Sequence, residues 1–118
     1  MIARFFITVV AVLHFNFLLL EMFLWNKPLG LSIFRMSQQK ADDSKALAAN
    51  QGLYNGFLCA GLFWADFSSG EMFSQLAVFF LSCVVIAGAY GAYSVSRRIF
   101  WIQSLPALLG LGCLYLKI

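Results

Sequence analysis

His14 and Glu21 are the residues of this chain best suited to moving a proton among apolar neighbours. They stand seven positions apart, which places them on nearly one stripe of a helix. A second set follows in LAANQGLYNG, where Asn50, Gln51, Tyr54 and Asn55 crowd into six positions. A carboxyl or imidazole group could exchange a proton in a dry pocket, assisted by Tyr54 or Tyr90. Glu21, Tyr54 and His14 are therefore the candidate catalytic residues. The plainer alternative is a paired structural carboxylate and a hydrogen-bonded core histidine. A metal site is not expected, because His14 is the only histidine and Glu21 the only carboxylate near it. No phosphate loop, dinucleotide fingerprint or haem-attachment motif is present, so the sequence names no cofactor.

The elements that position these residues follow from composition. Of 118 residues, 62% are hydrophobic and 11% are charged, against about 25% charged in soluble domains. The chain reads as one all-α integral membrane domain, with the lipid bilayer as its first partner. The net charge of +3 is no nucleic-acid footprint, since Lys and Arg sit at segment ends rather than along a basic face. Cys59, Cys83 and Cys113 lie within apolar segments without CxxC spacing and read as reduced packing residues. The apolar run after Arg4 lacks a small-x-small cleavage site, so it is expected to be retained as a span.

A spanning helix takes about 20 largely apolar residues. Four segments qualify, over 3–25, 45–66, 72–96 and 98–117, and each must be helical to satisfy its backbone in lipid. Residues 26–44 form a long first connection, in which LSIFRM suits the interface and Asp42, Asp43 or Ser44 suits the N-cap of the second helix. The other connections are tight, which predicts an antiparallel up-down bundle. Lys27, Arg35, Lys40, Lys45, Arg97 and Arg98 fall on the side of the first and third connections, against Arg4 and Lys117 opposite. That bias puts these connections in the cytoplasm and both termini outside.

On a helical wheel the second span has three faces. Asn50, Gln51, Tyr54 and Asn55 fill one arc; Ala48, Gly52, Gly56 and Cys59 fill a small-residue arc; Leu53 and Phe57 fill a third. The third suits lipid, the second a close helix neighbour, and the first protein or water. Tyr90, Tyr93, Ser94 and Arg97 share a face of the third span. Gln103 is at comparable depth on the fourth span, where Pro106 should bend the helix. An ionised Glu21 needs a partner such as Lys45, Arg97, Arg98 or the amides; otherwise it stays protonated. Polar residues thus gather in the cytoplasmic half. This predicts a pocket there for a small amphipathic or lipid-like molecule, lined by Glu21, Asn50, Gln51, Tyr54, Asn55, Tyr90, Tyr93, Arg97 and Gln103.

LEMFLW at 20–25, LAANQGLYNGFLCAGLFW at 47–64 and SRRIFWIQSLPALLGL at 96–111 resemble the domain-of-unknown-function family 1304 of small bacterial membrane proteins. The resemblance implies four membrane helices and no particular activity. A weaker architectural likeness is to the MAPEG proteins of eicosanoid and glutathione metabolism. Lys45 stands at their arginine position, while Gly52 and Asn55 replace their asparagine and acid. That likeness implies a transferase or isomerase acting on hydrophobic substrates, in a trimer. The competing readings are thus a ligand-binding protein, a MAPEG-like enzyme, and a structural subunit assembling as a dimer or trimer.

Overall fold

The computed structural model describes residues 1–118 and is all-α. Five helices follow in order: α1 (Ile2–Met22), α2 (Pro28–Phe34), α3 (Gln38–Phe67), α4 (Gly70–Ser94) and α5 (Leu105–Tyr115), the last entered through a π-helical turn, Phe100–Ser104. Two of them, α1 and α4, are long and apolar enough to cross a membrane, with mean hydropathy of 2.0 and 2.1. The apolar stretch Phe100–Tyr115 is shorter. The contacts divide the chain into two units, 1–13 with 58–118 and 14–57.

In the first unit the buried residues Phe73, Ala77, Leu81, Val84 and Gly88 mark one stripe of α4 at the three-and-four spacing of a helix face. Ile7, Val10, Ala11, Leu62, Ala65 and Ala107 complete this core. Gly88 has no room for a side chain, since a Cβ would stand 2.1 Å from Ser104 Oγ. Ser104 is wholly buried and donates its hydroxyl to the Val85 carbonyl at 3.0 Å. Leu81 meets Gly110, Gly88 meets Ser104 and Gly91 meets Ile99. Numbers rise along one partner as they fall along the other, so α4 and the last helical stretch run in opposite senses.

Pro106 follows closely on the π-helical turn. It offers no N–H to the carbonyl of residue 102, and its ring crowds that carbonyl. The chain widens just upstream instead, and Leu105 N–H reaches back five residues to the Phe100 carbonyl. A π turn of this kind absorbs the misfit without ending the helix.

In the second unit α1 stops at Met22, three residues before the expected end. Leu24 N–H bonds the Leu19 carbonyl, closing the last turn. Pro28 then opens α2, and Arg35, left-handed at φ 50°, ends it. LSIFRM is thus mostly helical, with the Trp25 and Phe34 rings 4.7 Å apart. The second long helix begins at Gln38, well before the expected Asp42–Ser44 cap. The Lys40 N–H bonds Ser37 Oγ at 3.2 Å, so Ser37 caps it. The Gln38–Asp42 and Gln39–Asp43 side-chain bonds then support its first turns. Ser44 instead accepts the Trp25 indole N–H at 3.0 Å.

Candidate functional site

Glu21 lies on the last turn of α1 and is 4% exposed. The Asn55 amide donates to its Oε1 at 2.7 Å. Gln51 approaches the same carboxylate, yet Oε2 has no hydrogen-bond partner of normal geometry. The approach depends on Gly52, where a Cβ would come within 2.7 Å of Met22 Cγ and 3.0 Å of Glu21 Cβ. Gly56 packs similarly on Leu18. The small-residue face of α3 therefore meets the end of α1, as its spacing predicts.

The four-residue polar arc divides. Asn55 is half-buried against Glu21, whereas Asn50, Gln51 and Tyr54 are exposed. Tyr54 is 56% exposed, and its ring contacts Phe57 at 5.9 Å. Leu53 and Phe57, expected to face lipid, are exposed beside it. His14 is wholly buried, edge-on to Phe17 at 5.5 Å, and two helical turns from Glu21 along α1. Tyr90, Tyr93, Arg97 and Gln103 belong to the other unit. There Tyr90 and Tyr93 are 69% and 89% exposed, with rings 6.4 Å apart. Arg97 is exposed and Gln103 half-buried.

Two cavities are lined by residues of the first unit. One of about 210 Å³ is lined by residues that include Met1, Ala3, Phe73, Cys113 and Ile118. Another of about 270 Å³ follows Phe5, Thr8, Val9, Val12 and Leu13. No three His, Cys, Asp or Glu side chains converge as a metal site would require, and all three cysteines are free.

A second polar cluster has no counterpart in the sequence reading. In the first unit, Arg4 Nη1 donates to the Asp66 carbonyl and pairs with its carboxylate at 3.5 Å. Arg4 Nη2 donates to the Ser68 carbonyl at 2.8 Å. The Thr8 hydroxyl donates to Asp66 Oδ2 at 2.7 Å, and the guanidinium lies over the Phe73 ring. The signal was present: Arg4 and Asp66 are opposite charges at the ends of spans predicted to share one membrane side.

The family described as "Protein of unknown function (DUF1304)" matches residues 8–115. The chain belongs to the DUF1304 family. The matched range of this DUF1304 member holds Glu21, His14 and the whole polar arc, but not Arg4. It is also 28% identical over 104 residues to the "Uncharacterized protein YpaA" of Lactococcus lactis, covering 86% of this chain and 87% of that one. No solved structure matches it significantly. Neither match is to the MAPEG proteins, so the likeness read from Lys45, Gly52 and Asn55 gains no support.

Proposed function

We propose that this DUF1304 member is a multi-pass membrane protein that holds the polar head of a small amphipathic molecule along the α3 row. Four spans would form an antiparallel bundle, with both termini outside and the first and third connections in the cytoplasm. Several observations support the membrane reading. Two helices have spanning length and hydropathy. Large apolar side chains such as Phe5, Phe57, Trp64, Phe67, Phe79 and Ile86 are exposed, more than a water-facing surface tolerates. The opposed contacts of α4 and the last helical stretch fit a bundle.

The observation that carries the binding reading is the Glu21–Asn55 pair. With its N–H engaged by the carboxylate, Asn55 presents its Oδ1 as an acceptor without a partner in the chain. Gln51 and Tyr54 stand beside it, also outward. Amides exposed to hydrocarbon are costly unless something meets them. A hydroxyl- or amide-bearing headgroup would satisfy them while its tail lies along Leu53 and Phe57. Glu21 acts here as a positioning residue, since its own oxygens are sealed from outside.

The test is mass spectrometry of small molecules that co-purify with the protein. A defined species should accompany the parent and be lost from Asn50→Leu and Tyr54→Phe variants of unchanged melting temperature. Identical lipid profiles in parent and variants would refute the reading. If disulfides form between copies carrying Leu53→Cys and the profiles stay identical, a second copy covers the row and the protein is an assembly subunit.

A further inference from the structure

We infer that the turn between α4 and the π-helical stretch is a binding site for the headgroup of an anionic phospholipid, with Arg97 and Arg98 as its charge. The turn is held in place by its own backbone. Val95 and Ser96 N–H groups both bond the Gly91 carbonyl, and Ile99 N–H bonds the Ser96 carbonyl. The Arg98 N–H donates to the Ser96 hydroxyl oxygen at 3.3 Å, and Ile99 packs where Gly91 has no side chain. Two adjacent guanidiniums are therefore presented from a fixed frame.

Nothing in the unit neutralises them. Arg97 and Arg98 are exposed, and the ion pair of this unit joins Arg4 to Asp66 instead. The acids of the unit, Asp66 and Glu71, stand at the opposite end of α4, about 37 Å away along a 25-residue helix. The turn is flanked by Tyr90, Tyr93 and Trp101, the last 62% exposed. Such rings settle at the headgroup level of a bilayer, and paired arginines there favour anionic over zwitterionic lipid. The inference assigns Tyr90, Tyr93 and Arg97 to a bilayer lipid rather than to the molecule held by α3, and it rests on the membrane reading.

Trp101 provides the readout. In a Trp25→Phe/Trp64→Phe background it is the only tryptophan. The protein is reconstituted in bilayers containing brominated phosphatidylglycerol or brominated phosphatidylcholine, and quenching is measured. Phosphatidylglycerol should bind beside Trp101 at least about fivefold more tightly, and salt should weaken the preference. Arg97→Gln/Arg98→Gln should abolish it, and Arg97→Lys/Arg98→Lys should retain most of it. Equal quenching by the two lipids overturns the site. No quenching by either overturns the membrane reading as well. If the double Trp variant does not fold, native mass spectrometry of the parent and the Gln variant from equimolar lipid reads the same selectivity, with equal retention overturning the site.

Discussion

The side-chain amide of Asn55 donates to the Glu21 carboxylate at 2.7 Å, joining the middle of α3 to the last turn of α1. The bond is buried on the Glu21 side, so losing Asn55 strands a carboxyl that water does not reach, and losing Glu21 leaves a half-buried amide without its acceptor. Glu21→Ala should lower stability by about 1–3 kcal/mol, the usual cost of removing one partner of a largely buried hydrogen bond. Glu21→Gln keeps an acceptor for Asn55 and should cost less. Thermal unfolding of both variants, and of Glu21→Ala/Asn55→Leu, checks this. Equal losses for Ala and Gln would show that the bond contributes nothing.

Gly88→Ala should destabilise by roughly 1–3 kcal/mol, because the new methyl overlaps the Ser104 hydroxyl in a filled space. Adding Ser104→Ala should recover part of the loss while giving up the bond to the Val85 carbonyl. Detergent-resistant melting temperatures of the single and double variants decide it. A Gly88→Ala protein as stable as the parent would mean that α4 and the last helix are not packed as described.

Asp42 makes the start of α3 sensitive to acid. The Asn26 amide first, then the Gln38 amide, holds its carboxyl below the ordinary carboxylate value. A lowered value means that the support is complete above the unfolded value, about pH 4, and is lost as pH falls through the folded one. Amide exchange over residues 38–45 should therefore show extra opening of this segment in acid. Asp42→Asn should remove that pH dependence and leave exchange in α4 unchanged. The same acid response in Asp42→Asn would rule out this carboxylate as the cause.

Orientation can be read chemically. Ser37→Cys and Ser96→Cys should react with a membrane-impermeant thiol reagent only after the cell is opened. Ser69→Cys, in the short turn before α4, should react on intact cells. The expectation comes from six cationic residues beside the first and third connections. Reaction of Ser96→Cys on intact cells would invert the proposed topology.

Much of the helical layout was legible because hydrophobic length and helix period are local properties. The α3 small-residue face was readable at Gly52 and Gly56 by spacing alone. Its polar arc was less so: a wheel gives angular neighbours, not which of them a partner covers, and of the four only Asn55 is half-buried against Glu21. The early start of α3 was missed because Ser37, Gln38 and Gln39 look like linker residues until their bonds to Lys40, Asp42 and Asp43 are seen. The Arg4–Asp66–Thr8 cluster was hidden for another reason. It joins residues some sixty positions apart, and only tertiary structure fixes that register.

The π turn at Phe100–Ser104 gives the last helix a reserve of length. It spends one more residue than an α turn to advance the chain. Losing a residue inside it would tighten the coil yet leave Ala107 and Gly110 aimed at α4. The same loss between Ala107 and Gly110 would rotate one against the other by about 100°. Deletions should therefore be tolerated there sooner than in the helix that follows.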